Sequence, residues 1–571
     1  MTSVGMTLRA AVRLSPRQFR YHLKRAMRNK IARRFPSAYA SHIERRARSL
    51  PVLASTAPAA AAIDMAKSIA PFYHDEYVAS IDDAADGRFS FFGQTADFRS
   101  PETIDWHFTV AAESDFHLWR MKLGHMGFVC PMLISGGKRH HDAVSAMLAS
   151  YRRSANFSTP GCFTSYWFPY SVSHRILAIL SGYVLSYSSL DEQLRADIES
   201  FLTWNAGFVV ANIEHELKNN HVERNLAALC LYYTCAESVP TGVASRLDRE
   251  VKRIIDACVL ADGFISERSA MYQGLTVMAL DVFAKTPFLA EATREFATAM
   301  HKKALQAWAT MTHPDGEIAL FNDSWFGEVP PVSHIVTDDT LTPVSLLPEA
   351  GYVRLESDGV FVLMDAGPIG PRWNPGHGHA DFLAVEADVA GRRFIVDPGT
   401  FQYSTGSRRT FERSAGSHNG PHRRGLEPVE YMGCFRVGRV SEARLGAAES
   451  NENATGHLSL PDGSEVSRMV SVAPGIVRFT DTWSDASDAQ VSITVAGEWV
   501  PVSRSKSVVE FRLGDTYAAI AVVEGGISSV ETGEWAHHYL ESDPATVLVL
   551  EPLSEHVGAQ LVWEIRKQEN K

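Results

Sequence analysis

From about residue 100 to residue 335 apolar side chains recur three and four positions apart, the spacing that places them on one face of an α-helix. The segments are Phe116 to Leu123, His140 to Tyr151, His174 to Tyr187, Leu190 to Ala211, Val222 to Cys235, Ala244 to Leu260, Met271 to Ala284 and Ala290 to Met311, with short Gly, Pro, Ser or Asp punctuation between them. Helices of similar length joined by short loops predict stacked antiparallel hairpins, an incomplete (α/α) toroid or a solenoid. After Pro343 the period shortens. Gly351 to Leu355, Val360 to Asp365, Phe382 to Val389, Phe394 to Asp397, Arg468 to Val472, Ile476 to Thr482, Ala489 to Val495, Val508 to Leu513, Ala518 to Val523 and Thr546 to Glu551 are short, β-branched and often alternating.

Such strands predict an antiparallel β-sandwich. The fold class is therefore multidomain α and β, with a helical domain over 51–335 and a sandwich over 336–571; the boundary falls in the Pro-rich stretch Val329 to Pro348. A chain of 571 residues exceeds what one core organises, which agrees with this division.

Charge marks off a third part. Residues 1–50 hold thirteen Lys or Arg against the single acid Glu44, a net +12, which within a total of −11 leaves the remainder at −23. From Ser15 the run Pro16-Arg17-Gln18-Phe19-Arg20-Tyr21-His22-Leu23-Lys24-Arg25 predicts a cationic amphipathic helix, suited to an anionic membrane surface or a partner, or else a solvated arm. Arginines interrupt every apolar core that a secretory signal would need, and no apolar run is long enough to span a bilayer. The expectation is a cytoplasmic or membrane-peripheral protein, with the periplasm as the alternative. The basic run is confined to one end without a recognisable aromatic platform, so nucleic acid is not an expected partner. Six cysteines without a CxxC pair indicate neither a disulfide framework nor a zinc finger.

The densest chemistry lies in Asn374-Pro375-Gly376-His377-Gly378-His379-Ala380-Asp381, immediately before a predicted strand. Histidine titrates near neutrality and ligates metals. The hairpin Phe382 to Val389, Ala390-Gly391-Arg392, Phe394 to Asp397 brings His379 and Asp397 to the same end, and Arg413 to Asn419 adds His418. His, Asp and His form either a zinc shell with one open position or a hydrogen-bonded cluster. In the helical half, Asn219-Asn220-His221 opens a helix as a cap or as donors for a carboxylate. Tyr272 opens another helix after the polar loop from Asp262.

In this order, Asn219-Asn220-His221, the loop to Tyr272, His377-Gly378-His379-Ala380-Asp381, Val396-Asp397-Pro398-Gly399-Thr400 and Arg413 to Asn419 resemble the heparinase II/III family of polysaccharide lyases. Trp119-Arg120 and Trp167-Phe168-Pro169-Tyr170 before Arg175 also look like that family's helical domain. The resemblance implies an N-terminal incomplete (α/α) toroid, a C-terminal β-sandwich and a cleft between them that takes an acidic, uronate-containing polysaccharide. It implies that Asn220 and His221 neutralise the uronate carboxylate and that Tyr272 and His377 transfer protons, their order left open. It further implies a Zn2+ shell of His379, Asp397 and His418 shaping the cleft, and substrate contacts by Asn219, Trp119, Arg175 and Arg413. No organic cofactor is expected.

Two other readings stand beside this one. A glycoside hydrolase on the same scaffold would need a carboxylate pair about 5 to 9.5 Å apart, for which Glu223, Glu267 and Asp323 are available without a paired motif. A non-catalytic protein that binds or helps assemble an acidic polysaccharide would keep the fold and the cleft.

Overall fold

The computed structural model describes residues 9, 12–54, 57–336, 341–446, 452–553 and 558–568. Three helical hairpins form the centre of the N-terminal half: Pro169–Ser186 with Glu192–Ala211, Asn220–Cys235 with Thr241–Cys258, and Ala270–Lys285 with Glu291–Thr310. The first member of each pair is buried almost all round, as an inner helix must be, and the inner helices pack on one another. The second members are amphipathic. Thr241–Cys258, for instance, buries only Leu247, Val251, Ile254, Ile255 and Cys258, at helical spacing. Ala60–Ile69 packs against all three inner helices of this incomplete toroid.

The C-terminal half is a sandwich of two antiparallel sheets. One runs Gly526–His538, Glu541–Glu551, Ala489–Ala496, Arg392–Ile395, Val385–Val389, Val360–Asp365, Tyr352–Ser357 and Leu346–Leu347, with Pro421–Arg423 paired to Ala489–Ala496 off this path. The other runs Glu442–Leu445, Asn453–Ser459, Glu465–Ala473, Ile476–Trp483, Gln560–Gln568, Thr516–Glu524, Val508–Leu513 and Val500–Arg504. Alternating inward residues such as Val466, Val470, Val477 and Phe479 meet Val362, Val385 and Leu548 in one core. The predicted hairpin forms, but its first strand starts at Val385 rather than Phe382, because Leu383 takes a left-handed φ of 59° and bends the chain out of the sheet.

The arm also departs from a solvated tail. Its helix Pro16–Arg34 starts where the Ser15–Gln18 capping box satisfies the first free amides. The next helix, Pro36–Arg48, packs on Glu192–Ala211, where Gly207 lets Ala47 approach so closely that a Cβ would stand 2.8 Å from its backbone nitrogen. None of the helices among the described residues is long and apolar enough to cross a membrane.

Candidate active site

A cavity of about 190 Å3 lies where the two halves meet. The toroid supplies Phe116, Tyr170, Asn219, His221, Tyr272 and Trp325; the sandwich side supplies Asn374, Gly376, His377, Tyr403 and Phe435. The seam is closed by polar contacts: Tyr352 Oη donates to the Arg268 carbonyl at 2.7 Å, and Trp373 Nε1 to the Lys218 carbonyl at 2.9 Å.

Tyr272 sits in the first turn of its helix, with its backbone amide donating to the capping Ser269 Oγ at 3.2 Å. Its ring lies 4.4 Å from that of His377, centroid to centroid, and its hydroxyl is 3.1 Å from the Tyr403 hydroxyl. Burial holds the Tyr272 phenol well above its usual value of 10, and the neighbouring Tyr170, Asp323 and Glu267 push the same way. His377 Nδ1 lies 2.9 Å from Asp323 Oδ2, while the nearest carboxylate oxygen to its Nε2 is Glu267 Oε1 at 3.7 Å. Burial opposes a charge on Asp323, yet Arg409 and hydrogen bonds from His377 and His379 hold it well below the usual carboxylate range. An ionised Asp323 accepts from Nδ1–H, which leaves the Nε2 lone pair of His377 free.

The loop that carries His377 is fixed from behind. Arg413 donates to the carbonyls of Gly376, Gly378 and Cys434 at 3.1, 2.8 and 2.9 Å. At Gly378 a Cβ would come within 2.3 Å of the Ile369 carbonyl oxygen, so the turn between the two histidines requires glycine.

On the facing wall, Asn219 caps Asn220–Cys235 by accepting from the His221 amide, and its own amide donates to Glu267 at 3.2 Å. The Asn220 backbone amide donates to the other Glu267 oxygen at 3.0 Å. The Asn220 side chain is 1% exposed, and neither its nitrogen nor its oxygen has a partner. An unsatisfied buried amide costs about 1–3 kcal/mol, and Asn220 lies between Asn219 and His221, which line the cavity, without lining it itself. His221 stacks 4.3 Å from Tyr170 with Nδ1 at 3.3 Å from Glu214. Lys218, Arg268 and Asn322, the neighbours of Asn219, Glu267 and Asp323, have left-handed φ of 51°, 62° and 60°. Such strain concentrates where surroundings hold functional groups in place.

The remaining predicted residues fall elsewhere. Trp119 is 0% exposed, its Nε1 donating to the Gln94 carbonyl at 2.8 Å with Phe91 and Phe108 against its ring. Arg175, also 0% exposed, bonds the Gly124 carbonyl and Asn205 Oδ1, both at 2.7 Å. Neither lines the cavity, and Arg413 reaches it only through the loop it holds. For these three, packing and backbone contacts replace the expected contact with substrate.

His379, Asp397 and His418 do come together. His418 Nδ1 is 2.7 Å from Asp397 Oδ2, and the two imidazole rings are 5.4 Å apart. His379 Nε2 is bonded to Asp323 Oδ1 at 2.9 Å, beside Arg409. Burial lowers His379 to about 3, so it is neutral near pH 7. His379 Nδ1 and His418 Nε2 are buried without partners. Two bare imidazole nitrogens suit a metal, but the Asp397 carboxylate is occupied by His418 and the Gly399 amide. Among the described residues no three His, Cys, Asp or Glu side chains are grouped to hold an ion. Without an ion the three residues form a hydrogen-bonded cluster, which Asp323 and Arg409 join to His377 and which leaves the two imidazole nitrogens open.

Sequence reasoning missed Tyr403, Arg409 and Phe435, and named Glu267 and Asp323 only as loose carboxylates. Tyr403, Arg409 and Phe435 lie outside the motifs; folding of the sandwich half on itself sets Tyr403 and Phe435 against the His377 ring, and Arg409 meets it only through Asp323. Asp381, in the densest motif, turns away to accept from the Asn322 amide at 2.7 Å.

Residues 339–564 match the family model described as heparinase II/III-like, C-terminal. A crystal structure of heparinase III is similar over 95% of this chain and 92% of its own, with 14% identity and a TM-score of 0.66. Heparan sulfate lyase HepC from Pedobacter heparinus is similar over 96% of this chain and 91% of its own, with 16% identity and a TM-score of 0.54. Identities this low carry the fold and no more. No curated protein matches the chain. Residues 339–564 are thus similar to the heparinase II/III-like C-terminal domain, and the toroid and sandwich together have the fold of heparinase III and the heparan sulfate lyase.

Proposed function

We propose that the protein is a polysaccharide lyase that cleaves an acidic, uronate-containing chain by β-elimination. The observation that carries this reading is the meeting of Tyr272 and His377, from opposite halves, in one cavity that Asn219 and His221 also line. The proton at C5 of a uronate is a poor acid until the adjacent carboxylate is neutralised. Donors from Asn220 and His221, at a helix N-terminus where the backbone dipole favours negative charge, stabilise the enolate-like charge that develops there.

The hydrogen bonding favours one order of transfer. His377 Nε2 takes the C5 proton, with Asp323 fixing the tautomer; the C5–H electrons form the C4=C5 double bond as the C4–O4 bond breaks. Tyr272, kept protonated by its burial, gives its proton to O4. Return of the proton from the imidazolium to the phenolate, over rings 4.4 Å apart, resets the pair. Zinc enters this reading only as an ion that His379, Asp397 and His418 would hold behind the loop, and no proton step involves it.

The hydrolase reading finds no support in carboxylate placement: Glu223, Glu267 and Asp323 are at most 2% exposed and bonded to Thr276, to Asn219 and Asn220, and to His377, His379 and Arg409. The test is incubation of the wild type with heparan-, chondroitin- and alginate-type polymers, followed in the ultraviolet for the unsaturated end group. New reducing ends without that absorbance would assign the protein to the hydrolases, and binding without product to the non-catalytic class.

A further inference from the structure

The arm helix presents a face that nothing among the described residues covers. Its polar side holds it to the toroid: Gln18 Nε2 donates to the Glu216 carbonyl at 3.2 Å, Arg25 to the Glu216 carboxylate at 3.0 Å, and Arg28 to Asn212 Oδ1 at 2.6 Å. The opposite side carries Phe19, Leu23, Met27 and Ile31 at four-residue intervals, and Phe35 follows the last turn; they are 60, 55, 55, 53 and 55% exposed. Leu23, Met27, Ile31 and Phe35, with Ala38 and Tyr39 of the next helix, line an open groove of about 630 Å3.

The cations around this face have aromatic rings, at Arg20, Lys24 and Arg34, but no carboxylates as neighbours among the described residues. Arg20, Lys24, Lys30, Arg33 and Arg34 are exposed and form no ion pair among the described residues, whereas Arg17 and Arg25 are paired to Glu250 and Glu216. No Asp or Glu occurs between Pro16 and Arg34. With 3.6 residues per turn, Phe19 to Ile31 sweep an arc of about 120° into which Arg20, Lys30 and Arg34 also fall. Gln18, Arg25 and Arg28 lie on the other side of the helix. Apolar and cationic side chains thus share one outward face.

We propose that this face docks the protein on an anionic lipid bilayer. Phe19, Leu23, Met27, Ile31 and Phe35 enter the boundary between headgroups and acyl chains, while the long Arg and Lys side chains extend back to the lipid phosphates. Charge complementarity selects this occupant: the outward face is purely cationic, and the remainder of the chain, at −23 against +12 for residues 1–50, is repelled by the same surface. Contact is therefore confined to the arm, which fixes how the protein sits. The hydrogen bonds at Gln18, Arg25 and Arg28 hold the face outward before any lipid is met.

The test uses the full chain with sedimented vesicles of phosphatidylcholine alone or with phosphatidylglycerol added, at low and high salt. The expected result is binding to the phosphatidylglycerol vesicles, little to the neutral ones, and weakening by salt. The double variant Leu23→Glu/Ile31→Glu should lose about tenfold or more of the binding with an unchanged circular dichroism spectrum and melting temperature, since both side chains are exposed. Failure of the wild type to bind anionic vesicles, or equal binding by the variant, would overturn the proposal. So would a dimer in light scattering that the variant abolishes, because the face would then be a contact between copies. Vesicle binding is read without substrate, so its outcome is independent of the lyase reading.

Discussion

Replacing Tyr272 with Phe removes one oxygen and separates chemistry from folding. The lost hydrogen bond to Tyr403, 3.1 Å long, contributes about 1 kcal/mol, and leaving the buried Tyr403 hydroxyl unpaired raises the cost to about 1–3 kcal/mol. A domain with a stability of roughly 5–15 kcal/mol stays folded under that loss. The catalytic effect is larger. General acid help is worth about 10²- to 10⁴-fold, or roughly 3–5 kcal/mol at about 1.4 kcal/mol per decade. The assay is continuous ultraviolet detection of the unsaturated end group, with circular dichroism to confirm the fold. The variant should lose kcat by at least about a hundredfold with little change in KM, since the phenol acts on O4 in the transition state. Because burial keeps the wild-type phenol protonated, no alkaline loss of activity from Tyr272 should appear below a pH of about 10. A Tyr272→Phe enzyme within threefold (~0.7 kcal/mol) of wild type would refute its role as the acid.

Asp323→Asn should lower kcat by about a hundredfold or more, because an amide can donate to His377 Nδ1 and reverse its tautomer; it should also destabilise by about 3 kcal/mol, since Arg409, 2% exposed, loses its counter-charge. Arg413→Lys cannot reach all three carbonyls of Gly376, Gly378 and Cys434, and kcat should fall about ten- to a hundredfold as His377 drifts, with a wild-type value arguing against a positioning role. Burial raises Glu223 to about 7 from 4.5, so its contribution to stability is full below the unfolded value and is lost as pH rises through about 7. Between pH values of about 5 and 8, Glu223→Gln should therefore gain on wild type by up to roughly 3 kcal/mol in urea unfolding, and a pH-independent difference would contradict the shift. His379→Ala should lower the melting temperature, and elemental analysis of wild type beside it checks the zinc proposal: about one equivalent lost on substitution supports a His379, Asp397 and His418 site, whereas metal-free wild type purified with zinc present rejects it.

The sequence by itself determined the helices from Lys138 to Thr310, most sandwich strands and the presence of the 385–395 hairpin, though not its register, since Arg392 pairs with Val389 instead of standing in the turn; period 3.6 and period 2 are local properties of which faces must be buried. It also marked Asn219, His221, Tyr272 and His377, whose polar types between helix caps and glycines are conspicuous in one dimension. Ala60–Ile69 was not legible, since an alanine-rich segment becomes core only when three inner helices surround it. Only the tertiary structure decided the split of the His377-Gly378-His379-Ala380-Asp381 motif into a cavity imidazole, a buried imidazole and a carboxylate that caps the Asn322 amide. The same holds for Arg175 and Trp119, whose chemistry suits a sugar cleft equally well until neighbours bury them. A side chain's type fixes what it can bind; which partner it meets depends on desolvation and on chain segments that are distant in sequence, as Asp323 is from His377 and His379.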